Sequence, residues 1–261
     1  MPSFHSLRVS QIDRITAKAV VVSLEIPASL SSEFQFQGGQ YINVQTNIND
    51  EQVRRSYSIC STPENEKLQI GIKEVPKGVF STYINLSLKV GDVLEVSPPE
   101  GRFVLNSSLD ENTIVGIAAG SGITPIMSLL KSTLSKVEDT QFVLLYGNKS
   151  PEEAMFYEEL KSLEKEHPER LKIHWVFSQA NVNETHFGRI DSSLVNYLLK
   201  QIGEEKSKAF YLCGPEQMIQ TVSDALTKKG VNKEQLFFEL FTASSDSTTV
   251  SAAAESGTLS L

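Results

Sequence analysis

The run Arg55-Ser56-Tyr57-Ser58 places a fixed cation, a flat aromatic ring and two hydroxyls next to one another. In an extended strand, side chains alternate between faces, so Arg55 and Tyr57 would project to one side and Ser56 and Ser58 to the other. This arrangement suits a flavin, because the cation can pair with a phosphate while the neighbouring ring stacks. The same pattern also occurs on ordinary half-exposed edge strands, so these four residues do not decide the chemistry alone.

A glycine-rich run from Gly120 to Pro125, GSGITP, follows a predicted strand and leads into a predicted helix. Glycines at such a point let the backbone approach a pyrophosphate closely, while Thr124 can cap the helix and Pro125 suits its first turn. The third glycine of the dinucleotide-binding fingerprint is missing. A plain capped helix after a strand explains the run equally well.

Two further runs lie where predicted helices begin. The run from Cys213 to Glu216 ends another predicted parallel strand, so it would share the ligand-binding carboxyl edge of the sheet. We interpret Cys213 as a buried small residue, since no histidine lies beside it as an activating base. The run from Gly78 to Ser81 would offer free backbone N–H groups and the Ser81 hydroxyl to an anion, although a simple helix cap is the commoner explanation.

The first hundred residues consist of short strand-like segments separated by turn-rich pieces. This spacing predicts a small antiparallel β-barrel. The predicted strands are 3–9, 19–26, 41–46, 56–61, 68–73 and 93–96, with a short helix over 79–85.

From about Asn112 apolar strands alternate with helical stretches, which predicts an α/β domain with a parallel sheet. We therefore expect a barrel domain at 1–106, a nucleotide-binding α/β domain at 107–242, and a flexible linker or tail at 243–261, whose Ser, Thr and Ala content buries too little surface. The predicted strands are 113–118, 142–146, 171–177, 209–213 and 236–241, and the predicted helices are 125–135, 152–166, 192–199 and 216–229.

Composition narrows the possible partners of this chain. The 261 residues carry a formal charge of −8, which argues against nucleic acid or an anionic membrane as the main partner. The chain shows neither a signal peptide nor an apolar run of membrane-spanning length. Two distant cysteines encode neither a disulfide framework nor a zinc or iron-sulfur site, and they fit a cytoplasmic setting.

Taken in order, these runs and Phe238-Glu239-Leu240-Phe241 resemble the ferredoxin-NADP reductase superfamily over about residues 4–242. The most similar branch is that of the reductase subunits of multicomponent oxygenases, particularly the phenylacetyl-CoA epoxygenase type. The segments 146–151 and 188–191 also look like that branch. The resemblance implies FAD in the barrel and a nicotinamide cofactor on the parallel sheet, held so that two flat rings stack for hydride transfer.

The resemblance also implies roles for individual residues. Arg55 would pair with the FAD pyrophosphate and Lys73 would line the flavin, while Tyr57, Ser58 and Glu239 would form the catalytic set beside its ring. The residues implied to bind the two cofactors are Arg55, Ser56, Tyr57, Ser58, Ile72, Lys73, Val79, Phe80 and Ser81 in the barrel, and Gly120, Ser121, Gly122, Thr124, Pro125, Asn148, Ser178, Arg189, Cys213, Gly214, Pro215, Glu216 and Phe241 in the second domain.

The choice between NADPH and NADH depends on cations that could hold an extra phosphate. The Ser-Arg pair usual in this superfamily is Ser178-Gln179 here, so one cation is missing. Arg189 and Lys149 are candidate replacements, and we therefore expect NADPH, with NADH as the alternative.

The branch normally carries a 2Fe-2S ferredoxin domain after the reductase module, and that domain needs four cysteines which this chain lacks. We hypothesise that the chain is truncated before such a domain. The expected activity is hydride transfer from NADPH to FAD, followed by delivery of single electrons to a ferredoxin-type domain or flavodoxin that serves an oxygenase complex. The alternatives are a free flavin or ferric reductase, and a non-catalytic interaction subunit with the same fold.

Overall fold

The computed structural model describes residues 3–64, 67–106, 113–136, 139–203 and 208–241 of the chain. Within these residues an antiparallel barrel is followed by a parallel sheet with helices, so the predicted fold class is confirmed. Residues 107–112 and 242–261, which hold the predicted domain boundary and the predicted tail, lie outside the described residues. The domain limits at 106 and 242 therefore stay predictions.

The barrel consists of six antiparallel strands and one helix: β1 (His5–Thr16), β2 (Ala19–Glu25), β3 (Tyr41–Ile48), β4 (Glu51–Ser58), β5 (Leu68–Lys73), α1 (Val79–Leu86) and β6 (Val93–Val96). The strand order is β4-β3-β6-β1-β2-β5, and a bridge between Ile59 and Ile70 joins its two ends. Alternating apolar residues such as Leu7 and Ile42 fill the interior and are fully buried.

Strand β4 was predicted at 56–61 but runs over Glu51–Ser58. Asn49 and Asp50, with φ of 53° and 66°, form the two-residue hairpin turn that joins it to β3. The first half of β4 is mostly polar and lies at the end of the sheet order, so it lacks the apolar alternation that marks a strand in sequence. The hairpin brings all four residues from Arg55 to Ser58 into one regular strand.

The second domain is a six-stranded parallel sheet with helices on both faces. Ile126 and Leu160 lie in the apolar cluster on one face, and Val195 and Val222 lie in the cluster on the other. Among the described residues, none of the helices has the length and apolar character needed to cross a membrane. The elements are β7 (Thr113–Ala119), α2 (Ile123–Lys136), β8 (Gln141–Asn148), α3 (Tyr157–Glu166), β9 (Leu171–Phe177), β10 (His186–Phe187), α4 (Ser192–Ile202), β11 (Lys208–Gly214), α5 (Glu216–Lys228) and β12 (Leu236–Leu240).

The sheet order β10-β9-β8-β7-β11-β12 reverses direction between β7 and β11. Strands β8 to β10 extend to one side of β7, while β11 and β12 extend to the other. The carboxyl ends of β7 and β11 are therefore neighbours, and the turns after them form the switch point where open α/β sheets bind ligands. The runs beginning at Gly120 and Gly214 meet there, as the sequence predicted.

Two helices of this domain begin elsewhere than predicted. Helix α2 begins at Ile123 rather than Pro125, and α3 begins at Tyr157 rather than Glu152. Pro151–Glu153 form a 3-10 turn, and Phe156 has a left-handed φ of 61° that a continuous helix cannot contain. The chain leaves helical geometry here because residues 154–156 turn inward and are buried against the barrel.

The two domains share one apolar cluster. Val21 and Cys60 of the barrel are buried in the same cluster as Met155 and Phe156 of the second domain. At Gly71 in β5, an added Cβ would lie 3.0 Å from Met155 Cε, so the barrel wall meets the second domain in direct contact. This contact fixes the barrel against the second domain.

Candidate active site

Strand β4 presents the Arg55 side chain and the Tyr57 ring on one face. Arg55 and Tyr57 are two residues apart in the strand and therefore share that face. The Tyr57 ring packs against Phe80 of α1 with centroids 5.8 Å apart, and burial raises the pKa of its phenol far above the ordinary value. A neutral ring held in place by the barrel is suited to stacking, as the resemblance implied.

Ser58 faces the second domain. It is buried, and its Oγ donates a hydrogen bond to Glu239 Oε2 at 3.1 Å. Glu239 lies on β12 and pairs in register with Cys213 on β11. Burial raises the pKa of Glu239 to about 7, while the hydrogen bond from Ser58 opposes the rise. A carboxyl group that can exchange a proton near neutral pH thus joins the barrel strand to the parallel sheet.

Ser56 takes part in a polar network at the rim of the barrel. Its Oγ donates to Asn43 Oδ1 at 2.7 Å, and the Asn43 amide donates in turn to the carboxylate of Glu100. The backbone N–H of Asn43 also donates to Ser97 Oγ at 3.0 Å. The Ser56 hydroxyl therefore ties β4 to β3 and to the segment after β6.

The start of α1 offers backbone rather than side-chain groups. Ser81 Oγ accepts from the Val75 N–H at 3.1 Å and donates to the Gly78 carbonyl at 3.3 Å, so its hydroxyl holds the preceding turn. The Phe80 side chain is buried in the barrel core. What this segment can present to a phosphate is the set of N–H groups at the helix start, beside a partly exposed Val79.

The turn after β7 lies extremely close to the turn after β11. A Cβ on Gly122 would lie 2.2 Å from the Cys213 carbonyl oxygen, so glycine is required there. Thr124, predicted to precede the helix as its cap, is instead the second residue of α2, and its Oγ1 donates to the Ser121 carbonyl at 3.0 Å. Gly120 has a φ of 56°, and a Cβ there would meet none of the described atoms within 4 Å, so this turn opens into the cleft.

The turn after β11 contains no reactive thiol. Cys213 is fully buried, and burial together with the nearby Glu239 raises its pKa well above the ordinary value. It is a neutral residue of the core, as the sequence indicated. Pro215 immediately precedes α5, and Glu216 is exposed in the first turn of that helix.

The ends of β8 and β9 supply the remaining predicted nucleotide residues. The Ser178 N–H donates to the Asn148 carbonyl at 3.0 Å, which places the two side by side. Asn148 Nδ2 is buried beside the Tyr146 hydroxyl, and it has no hydrogen bond of normal geometry within the described residues. A buried donor of this kind suits a ligand oxygen. Arg189 is exposed just after β10, and Phe241 is partly exposed just after β12.

Lys73 at the end of β5 reaches across to the second domain. Its Nζ donates to the Glu153 carbonyl at 3.3 Å and lies 3.7 Å from the Glu153 carboxylate. The neighbouring Ile72 has its side chain fully buried in the barrel core, so only its backbone could contact a ligand, and its role in cofactor binding stays a prediction. Glu153 was missed because it lies in a segment predicted to be an ordinary helix.

The residues present fit a flavin on the barrel side and a dinucleotide on the sheet side. The barrel offers a cation, a fixed ring and helix-start N–H groups, while the sheet offers an open glycine turn and the buried Asn148 amide. The two sets face one another where Ser58 meets Glu239. This is the geometry that two stacked rings would need.

Comparison with known proteins agrees with this geometry. Residues 6–105 match the oxidoreductase FAD-binding domain, and residues 117–224 match the oxidoreductase NAD-binding domain. Over 251 residues the chain is 32% identical to one of the subunits of 1,2-phenylacetyl-CoA epoxidase from Escherichia coli, a match covering 92% of this chain and 68% of that protein. The chain belongs to the ferredoxin-NADP reductase superfamily. It is an oxidoreductase with FAD-binding and nicotinamide-nucleotide-binding domains.

Other known proteins are similar along most of the chain. The ferredoxin reductase component of 3-ketosteroid-9-alpha-monooxygenase from Rhodococcus rhodochrous is 29% identical over 238 residues, covering 90% of this chain and 64% of that protein. The FAD/NAD-binding domain of nitric oxide dioxygenase from Vibrio cholerae shares the fold, with a TM-score of 0.80, 24% identity and coverage of 92% and 99%. The chain spans about half to two thirds of the length of the curated relatives it matches.

Proposed function

We propose that this protein accepts hydride from NADPH onto FAD and delivers single electrons to an iron-sulfur or flavodoxin acceptor that serves an oxygenase. The hydrogen bond between Ser58 and Glu239 carries this proposal. It brings the strand that would hold the flavin to the sheet edge that would hold the nucleotide, and it places a titratable carboxyl between them. Bound FAD would supply the chemistry of accepting an electron pair and releasing its electrons one at a time.

The side chains would act by position and charge. Arg55 neutralises phosphate, Tyr57 supports the flavin ring, and Ser58 with Glu239 can hold or move a proton at the cleft. Because Lys73 points at the second domain rather than into the barrel, we assign it to the phosphates of the nucleotide instead of to the flavin. The turn at Gly120 and the Asn148 amide would hold the other parts of the nucleotide.

NADPH is the proposed donor because of the charges at the sheet edge. Enzymes that select NADH often place an acidic residue against the ribose 2′-hydroxyl, whereas a cation accommodates the 2′-phosphate. Here β8 ends in Asn148 rather than in an acidic residue, and the exposed Arg189 follows β10. Replacing Arg189 with Gln should raise the KM for NADPH several-fold more than that for NADH, and equal effects would contradict the assignment.

The oxygenase role is suggested by the relatives. Two of them are, by name, a component of phenylacetyl-CoA epoxidase and a ferredoxin reductase component of a monooxygenase. We propose the same kind of acceptor here, carried on a separate chain or on a ferredoxin domain beyond this sequence.

The decisive experiment is anaerobic mixing of the FAD-loaded protein with NADPH and, separately, with NADH. We expect rapid bleaching of the visible flavin band. At low nucleotide concentration the bleaching should be faster with NADPH than with NADH. Addition of a 2Fe-2S ferredoxin or flavodoxin should then reoxidise the flavin. Retention of FAD through purification separates this function from a free flavin reductase, which would release the flavin and reduce it as a substrate. A flavoprotein that neither nucleotide bleaches would overturn the proposal and favour a non-catalytic subunit.

A further inference from the structure

Two lysines from different domains converge on one carboxylate at the cleft. Lys73 of the barrel and Lys149 of the second domain each place Nζ 3.7 Å from Glu153 Oε2. Lys73 also donates to the Glu153 backbone carbonyl at 3.3 Å. The side chains of Lys73, Glu153 and Lys149 are 23%, 39% and 58% exposed, so solvent reaches the group.

The backbone of each domain positions its residue, so that Lys73 of the barrel and Glu153 of the second domain lie next to each other. Gly71 and Lys73 share a face of β5, and Gly71 packs against Met155, so Lys73 must also face the second domain. On the other side, the 3-10 turn Pro151–Glu153 follows β8 directly, and the Glu153 N–H donates to the Ser150 carbonyl at 3.2 Å. This turn brings Glu153 to Lys73. The helix predicted from sequence over 152–166 would have given Glu153 a different position.

The charges of this group leave one cation uncompensated. Burial lowers the pKa of Lys73, and Glu153 opposes that effect while Lys149 adds to it. A phosphate anion in the cleft would pair with the same ammonium groups that Glu153 now holds, and charged hydrogen bonds to phosphate are the stronger kind. Glu153 and a phosphate would therefore compete for the two lysines.

We propose that Glu153 is a built-in counter-anion, which occupies Lys73 and Lys149 until the pyrophosphate of the nicotinamide nucleotide displaces it. It thereby weakens nucleotide binding and speeds release of the oxidised nucleotide after hydride transfer. This inference rests on the proposed function, because it requires a nicotinamide nucleotide in the cleft. The alternative is that Glu153 acts as an ion-pair clamp that holds the two domains in a binding-competent arrangement.

The two roles predict opposite results for Glu153→Gln. For a counter-anion, the dissociation constant for NADP⁺, measured from the flavin difference spectrum, should fall about two- to five-fold, which is the size expected from an exposed ion pair. The KM for NADPH should fall with it, and NADP⁺ release should slow. For a domain clamp, NADP⁺ binding should weaken and the melting temperature should fall.

Glu152→Gln is the matched control. It removes one negative charge from the adjacent position of the same turn, but Glu152 is fully exposed and its carboxylate hydrogen-bonds Ser150 instead. We expect NADP⁺ binding by this variant to equal that of the wild type. An equal tightening in both variants would mean that general charge governs the effect, and would overturn the assignment to Glu153.

Further variants keep the test decisive if Glu153→Gln folds poorly. Glu153→Asp keeps the charge on a shorter side chain that cannot span both lysines, so it should tighten NADP⁺ binding by a smaller factor. In a Lys149→Gln background the gain from Glu153→Gln should shrink. Unchanged or weaker NADP⁺ binding in both Glu153 variants would overturn the inference and leave the proposed function intact. A flavin in the wild-type protein that neither NADPH nor NADH reduces would overturn the proposed function itself.

Discussion

Individual side chains at the cleft differ in what they touch, and that difference assigns their roles. Arg55 shares a strand face with Tyr57, whereas Arg54 is exposed on the opposite face and lies over the Phe4 ring at 4.8 Å. Ser58 and Glu239 hydrogen-bond each other across the two domains. Arg54 therefore offers a matched control for a substitution of Arg55.

Arg55→Ala should lower FAD retention, because a charged partner for the pyrophosphate is lost. The expected loss of binding free energy is about 1.5 to 3 kcal/mol, the usual value for a hydrogen bond to a charged group. The FAD dissociation constant, measured by fluorescence on reconstitution, checks this. Arg54→Ala removes the same charge from the other face of β4 and should leave FAD binding unchanged; comparable losses in both variants would refute the assignment.

Glu239 should make the stability of the protein depend on pH. Its pKa is about 7 in the folded protein against an ordinary value of 4.5, so between these values the folded state binds more protons than the unfolded chain. The free energy of unfolding should therefore decline as the pH rises from about 4.5 to about 7, and this contribution should be constant above that.

Urea unfolding of the FAD-saturated protein across this pH range tests the expectation, with Glu239→Gln as the comparison. The variant cannot titrate, so its stability should decline less as the pH rises. Ser58→Ala removes the hydrogen bond that opposes the rise in the pKa of Glu239. In that variant the titration of Glu239 should therefore extend to higher pH. Identical pH profiles for wild type and Glu239→Gln would contradict the raised pKa.

Among the elements, the two turns at the switch point are the most tightly coupled. Strands β7 and β11 are neighbours in register, so the chain after each must pass the other within van der Waals distance. Gly122 lies against the Cys213 carbonyl, and Gly214, with φ of 157°, lies near Ala119. The position of the turn after β7 thus depends on the strand it packs against as well as on its own sequence.

Gly122→Ala should destabilise the protein by about 3 kcal/mol, the upper end for an overpacked site, because the new Cβ would collide with a backbone carbonyl that cannot rotate away. Nucleotide binding should weaken as the turn moves. Gly120→Ala is the control for stability: its site has room, so only the left-handed backbone should cost about 1 kcal/mol. Chemical denaturation checks both, and equal losses would show that steric conflict is not the cause.

At the scale of the whole molecule, buried contacts between the domains hold the cleft. Ser128 Oγ of α2 donates to the Ser61 carbonyl of the barrel at 2.6 Å, within a buried setting. Tyr211 is fully buried on β11, and its hydroxyl accepts from the Asn106 N–H at 3.0 Å and donates to the Val104 carbonyl at 3.2 Å. The chain leaving the barrel is thus attached to the parallel sheet at β11.

Tyr211→Phe should lower the free energy of unfolding by about 1 to 3 kcal/mol, since it removes a buried hydroxyl that serves two backbone groups. Tyr197→Phe, a matched change at a 43% exposed site, should shift stability by less than about 0.5 kcal/mol. Urea denaturation measures both. Equal stability of Tyr211→Phe and wild type would mean that this attachment contributes little.

Local sequence patterns were enough to predict the two architectures and the order of the predicted binding segments. Apolar alternation in the barrel and strand–helix alternation after it follow local periodicity, which one chain displays without reference to its partners. The turns at Gly120 and Gly214 were placed correctly because glycine and proline punctuate strand ends wherever they occur. The buried thiol of Cys213 followed in the same way from the residues around it.

Which side chains meet depends on packing between distant parts of the chain. The inward turn at 154–156 and the contact of Lys73 with Glu153 depend on residues far apart in the chain, so no local pattern predicts them. The raised pKa of Glu239 likewise arises from burial at a cleft that two domains create together. The spacing of apolar residues indicates which face of a helix or strand is buried. Long-range packing determines which residues that face and its polar neighbours contact.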